Sequence, residues 1–131
     1  MNLLAVGIGG FFGAIFRYLI GKIIPVPSGF PLGTLVINLL GCLFLSWFFT
    51  NTLKRRNINP ILKLAIGTGF TGAFTTFSTF SVETLNLVKN HQITMAIIYV
   101  VLSILGGITL ALFGAKLAEF KSENQRKGEE K

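Results

Sequence analysis

Residues 32–53 run for 22 positions without a charged side chain, and three further stretches, 3–24, 61–88 and 93–117, are nearly as apolar. At 1.5 Å per residue a helix of 22 residues is about 33 Å long, enough to cross a hydrocarbon core of about 30 Å. Lipid offers backbone groups no partner, so runs of this kind have to cross as helices. Composition removes the other broad classes. The chain is 51% apolar and 13% charged, where soluble domains carry about 25% charge. A water-soluble domain of 131 residues cannot hide that much apolar surface. Disorder needs low hydrophobicity, and a disulfide scaffold needs a second cysteine beside Cys42. The expected fold class is therefore an all-α membrane protein with one domain over 1–117 and four transmembrane helices at about 3–24, 32–53, 61–88 and 93–117. The first run lacks a basic leader and is too long for a cleaved signal, so it is expected to be a span. The polar tail 118–131 is expected to be frayed or disordered.

The net charge is +7, but the basic residues lie mostly between or after the apolar runs, which excludes a nucleic-acid footprint. Four spans place both termini on one side. Lys54, Arg55, Arg56, Lys63, Lys116, Lys121, Arg126, Lys127 and Lys131 share that side, and Lys22 and Lys89 fall on the other. Basic residues collect in the cytoplasm. The expected location is the cell membrane, crossed several times, with both termini cytoplasmic.

Small and polar residues recur every fourth position inside the spans, which places them on one helix face. Gly9, Gly13, Arg17 and Gly21 form such a stripe. Gly9 and Gly13 make a GxxxG pair that lets another helix approach closely. Arg17 is costly at membrane depth. It either snorkels to a nearby interface or takes part in permeation. Thr34, Asn38, Cys42 and Ser46 form a second stripe, and Tyr99, Ser103, Gly107, Ala111 and Ala115 a third. Asn38 reads either as interhelical glue or as part of a pathway wall.

The third run reads GTGFTGAFTTFSTFS over 67–81. Gly67, Gly69 and Gly72 weaken a helix. Thr71, Thr75, Thr76, Ser78, Thr79 and Ser81 offer its backbone competing hydrogen bonds. A break is expected near 72–76, so that the third helix is interrupted near its centre. Such a break survives at membrane depth only inside protein or beside a cavity, and its freed carbonyls are ligands for a hard cation. Phe74, Phe77 and Phe80 interleave with the hydroxyls. Their rings either pack or present positive edges. Ring edges, hydroxyls and an amide could stabilise a small anion without the full charge that would trap it. Glu83 reads as an interface residue, a partner for a basic group, or a proton carrier.

Three motifs, GGFFGAIFRY over 9–18, GTLVINLLG over 33–41 and GFTGAFTTFSTFS over 69–81 with Glu83, together resemble the Fluc/CrcB family of fluoride channels across about residues 5–115. The resemblance implies an antiparallel, dual-topology dimer with pores along its interface, through which fluoride leaves the cytoplasm passively. It implies a fluoride pathway past Asn38, Phe77, Phe80, Thr76, Thr79, Ser81, Tyr99 and Ser103. It also implies a structural Na⁺ at the dimer centre, held by main-chain carbonyls that map to Gly72 and Thr75. Arg17 and Glu83 are further candidate functional residues. Where some members continue the fourth-helix track with another Ser, this chain has Gly107. The implied partners are fluoride, the bilayer and a second subunit. That subunit is an identical chain or, given the charge bias of nine to two, an oppositely oriented paralogue.

Rival functions fare worse. A small multidrug-type proton-coupled exporter wants an early intramembrane carboxylate, and residues 1–82 contain no Asp or Glu. A non-transport assembly subunit would explain the glycine faces but not the polar stripes. No enzyme is expected, because one His (His91), one Cys and no paired carboxylates assemble no acid–base or metal constellation.

Overall fold

The computed structural model describes residues 2–24, 29–54 and 58–129, with the side chains of all but Lys54 and those after Phe120. Arg55, Arg56 and the charged side chains after Phe120 lie outside the described set, as do residues 25–28 of the loop after the first run. All described regular structure is helical. α1 is Asn2–Ile23 and α2 is Leu32–Lys54. The third span begins as α3, Pro60–Lys63, with Asn59 capping it by accepting from the Ile61 N–H at 2.9 Å and Pro60 at a position that needs no donor. It continues as a π-helical stretch, Leu64–Phe70, and as α4, Thr71–Phe74. After two extended residues it resumes as α5, Phe77–Lys89. α6 is Ile93–Glu129.

Among the described residues, three helical stretches are long and apolar enough to cross a membrane unaided: Asn2–Ile23, Leu32–Leu53 and Ile93–Phe120. The third span is cut in two and crosses only as the sum of its pieces. Polarity is inverted relative to a soluble fold. Leu3, Ile8, Phe11, Leu105, Leu112 and Phe113 are all more than half exposed, while Thr34, Thr52 and Thr71 are buried. Such a surface is stable in hydrocarbon and not in water, and the chain is a multi-pass membrane protein.

Two seams hold the bundle. On one, α1 lies against the π-helical stretch and α4, running the same way. A Cβ built on Gly9 would fall on the Ala65 carbonyl, and one on Gly13 on the Phe70 carbonyl. One on Gly69 would come within 2.5 Å of the Val6 carbonyl. Only glycine permits backbones this close. On the other seam α2 and α6 run together. Ser46 donates to the Ala111 carbonyl at 2.6 Å, and a Cβ on Gly114 would lie 2.5 Å from the Leu43 carbonyl. With α1 beside the third span and α2 beside α6, alternate passes are parallel, which puts both termini at the same end.

One feature departs from the sequence reading. The stretch before the break is π-helical rather than α-helical, and its extra backbone width sits where α1 approaches. The backbone of α6 is helical to Glu129. Residues 118–127 contain neither Gly nor Pro and are rich in Ala, Glu, Lys, Gln and Arg, all good helix formers. α5 ends with the Gln92 N–H on the Leu87 carbonyl at 2.9 Å and the His91 N–H on the Val88 carbonyl at 3.0 Å, His91 taking the left-handed position (φ 59°) that such caps need.

Candidate functional site

The break occupies Thr75 and Thr76, both extended (φ −81°, ψ 156° and φ −148°, ψ 119°). β-Branched residues favour that region, and Thr76 is the N-cap of α5, a position that requires it. Its hydroxyl accepts from the Thr79 N–H at 3.2 Å and donates to the Thr79 Oγ1 at 3.0 Å. The Thr75 hydroxyl turns back to the Thr71 carbonyl at 2.9 Å. Across from it, a Cβ on Gly41 would fall on the Thr75 methyl, so α2 leaves room for the break with a glycine.

Asn38 completes the interruption. Its Oδ1 accepts from the Thr76 N–H at 2.9 Å, and its Nδ2 donates to the Thr76 carbonyl at 3.1 Å. The side-chain amide stands in for a neighbouring peptide unit and satisfies both backbone groups of the residue that left the helix. In an unbroken helix the Thr76 N–H would bond to the Gly72 carbonyl. Because Asn38 takes it, that carbonyl is released. Gly72 stands at the exposed surface of the protomer, and a Cβ there would meet nothing within 4 Å.

Two turns further on, Glu83 ties three elements together. It accepts from Thr34 of α2 on Oε1 and from Tyr99 of α6 on Oε2, both at 2.8 Å. The sequence reading weighed a basic partner or an interface position for it; the structure gives it two hydroxyls. Tyr99 is fully buried, its ring 5.1 Å from Phe80, and Phe80 is 5.9 Å from Phe77. Ser103 donates to the Tyr99 carbonyl at 2.7 Å, on its own helix.

A cavity of about 750 Å³ opens beside this cluster, and Arg17, Lys22, Thr34, Thr76, Thr79 and Glu83 contribute to its lining. Arg17 is thus turned toward this cavity. Lys22 at the outer end lies over the Tyr18 ring, Nζ to centroid 5.6 Å. The structure thus gathers Asn38, Thr76, Thr79, Glu83, Phe80, Tyr99 and Arg17 around one break and one cavity. It does not bring in Phe77, which is 80% exposed, or Ser81, exposed and donating to the Phe77 carbonyl at 2.9 Å. The role of Thr34 was missed. Its place four residues before Asn38 on the polar stripe was the only signal.

The hydroxyl protons of Thr34, Tyr99, Ser103 and Ser81 are spent on protein acceptors. Among the neutral groups of this cluster, the second Nδ2 hydrogen of Asn38 and the Thr79 hydroxyl keep a proton to spare, and the Arg17 guanidinium on the cavity wall adds charged donors. This arrangement can hold a small anion by hydrogen bonds alone. Among the described residues no group of three His, Cys, Asp or Glu side chains could hold a metal ion.

The CrcB family pattern, described as "CrcB-like protein, Camphor Resistance (CrcB)", matches residues 4–115. The fluoride-specific ion channel FluC of Oceanobacillus iheyensis is 49% identical over 117 residues, covering 89% of this chain and 91% of that protein. FluC 1 of Desulfitobacterium hafniense is 47% identical over 108 residues (82% and 95%). FluC of Methanocaldococcus jannaschii is 47% identical over 117 residues (89% and 94%).

Proposed function

The chain belongs to the CrcB family, and on that premise we propose that it is a fluoride-selective channel that lets fluoride leave the cytoplasm passively. The observation that carries the reading is the Asn38 amide clasping both backbone groups of Thr76. It supports a permanent interruption at membrane depth, with donors beside a polar cavity. Fluoride is small and strongly hydrated, so a path for it must replace water hydrogens with protein hydrogens. The spare protons of Asn38 and Thr79 and the positive edge of the Phe80 ring supply them. None carries a full charge, so the ion is held weakly enough to leave. Arg17 and Lys22 make the cavity attractive to anions. Glu83, which accepts from the Thr34 and Tyr99 hydroxyls, holds α2, α5 and α6 in register around Phe80.

The functional unit in this reading is a dimer of oppositely oriented subunits. Gly72, Phe77, Ser78, Thr79 and Ser81 are exposed on the single chain at the depth of the break, where lipid would leave polar groups unserved. A second copy covers them. It also fits the cation that the family resemblance implies. Gly72 and Thr75 offer two main-chain oxygens per chain, hard ligands suited to Na⁺, and two copies double that number. A bound Na⁺ would supply fixed positive charge where the breaks meet. The second subunit is an identical chain or an oppositely biased paralogue. The charge count favours cytoplasmic termini for this one.

Efflux from liposomes tests the reading. Reconstituted protein is expected to release fluoride and retain chloride. Phe80→Ile, which keeps apolar bulk but removes the ring edge, is expected to lower fluoride release by about tenfold, the scale of one aromatic contact, with the dimer intact. Equal release of both anions, or full fluoride flux in Phe80→Ile, would contradict it.

A further inference from the structure

We propose that Phe30, in the loop between α1 and α2, is a positioning residue that sets the Tyr99 and Phe80 rings at the fluoride path; this rests on the channel reading above. The loop's neighbours Gly29, Pro31 and Gly33 line the polar cavity, but Phe30 does not. Its ring instead meets Tyr99 edge to face, centroids 5.6 Å apart at 77°. Tyr99 has Phe80 as a further ring neighbour at 5.1 Å, and Phe80 leads to Phe77 at 5.9 Å. A continuous line of rings therefore joins the loop to the exposed surface beside the break. Phe30 and Phe80 both pack against the buried cluster of Leu35, Leu87, Ala96 and Tyr99.

The same short segment grips Tyr99 a second time. Thr34, four residues on, donates to Glu83, which accepts the Tyr99 hydroxyl. Tyr99 is thus held at its ring by Phe30 and at its hydroxyl through Glu83 by Thr34. The segment can serve as a fixed reference because its backbone is specified. Gly29 takes the left-handed conformation (φ +78°), which glycine adopts without strain. The Leu32 N–H donates to the Phe30 carbonyl at 2.8 Å and the Leu35 N–H to the Pro31 carbonyl at 3.2 Å. Phe30 has no polar side-chain atom, so it influences the ion only through the rings it orients. Without it, Tyr99 keeps its hydroxyl tether but loses the wall that presses its ring toward Phe80.

The experiment compares reconstituted wild type, Phe30→Ala, Phe30→Leu and Phe30→Tyr by fluoride efflux, chloride efflux and thermal unfolding. Phe30→Leu retains apolar volume without a ring edge, and Phe30→Tyr retains the ring. Phe30→Ala and Phe30→Leu are expected to lose about fivefold to tenfold in fluoride flux, the scale of one aromatic pair. Their fluoride-to-chloride ratio should also fall. Phe30→Leu should still unfold near the wild-type temperature, and Phe30→Tyr should restore both flux and ratio. Wild-type flux and ratio in Phe30→Leu would overturn the proposal. Loss of folded protein in both Phe30→Ala and Phe30→Leu would give the ring a role in the fold alone and overturn it as well. A wild-type protein that passes no fluoride would instead overturn the channel reading, before any variant is compared.

Discussion

Asn38→Ala is expected to reduce fluoride flux to that of protein-free liposomes. The substitution removes one donor and one acceptor at once, leaving the Thr76 N–H and carbonyl unserved in a water-poor interior. Each orphaned group costs about 1–3 kcal/mol, so the interrupted geometry loses roughly 2–6 kcal/mol of support. The cheapest repair is for the Thr76 N–H to return to the Gly72 carbonyl and extend α4. That repair would straighten the span, move Thr76 and Thr79 away from α2, and remove an oxygen from the proposed cation site. Asn38→Asp separates the two functions of the amide. It keeps an acceptor for the Thr76 N–H but loses the spare donor and adds a negative charge on the path of an anion. It is expected to fold and still conduct poorly. Fluoride-electrode recordings together with thermal unfolding of both variants check this. Wild-type flux in folded Asn38→Ala would remove the break from the account of permeation.

The second large effect belongs to the α1 seam. Gly13→Leu is expected to yield little folded protein. A Cβ at position 13 would fall on the Phe70 carbonyl, and backbone cannot yield as a flexible side chain does. Overpacking a core commonly costs about 1–3 kcal/mol, and separating α1 from the π-helical stretch adds the contacts along their shared length. Phe70 cannot step aside freely, since its ring already meets those of Phe16, Phe44 and Phe74. Gly7→Leu provides the comparison within the same helix. Position 7 has nothing within 4 Å of an added Cβ, and that variant should express and unfold like wild type. Size-exclusion profiles and unfolding midpoints distinguish the pair; a stable Gly13→Leu would show that the seam is looser than described.

Much of this architecture was legible because lipid imposes simple rules. Long apolar runs with few charges locate α1, α2 and α6, and the glycine spacing at 9 and 13 marks the face that meets the third span. The cluster of Gly72 with flanking threonines marks the break to within a few residues, since its hydroxyls compete for helical carbonyls. What stayed hidden depends on partners distant in sequence. Nothing in LAIGTGF separates a π-helical from an α-helical winding, because the neighbours of this stretch, α1 at Ala65, Gly69 and Phe70 and Phe49 of α2 at Gly67, are distant in sequence. The partners of Glu83 lie 49 and 16 positions away, and no local pattern joins them. Phe30 reads as an unremarkable loop aromatic until the fold sets it on Tyr99.

The most direct measurement is the reversal potential of the reconstituted protein in a planar bilayer with unequal fluoride on the two sides and chloride making up the difference. A passive path built from neutral donors should reverse at the fluoride equilibrium potential. It should follow changes in the fluoride gradient alone and ignore an imposed pH gradient. A reversal potential that tracks chloride, or one that shifts with the proton gradient, would contradict the account.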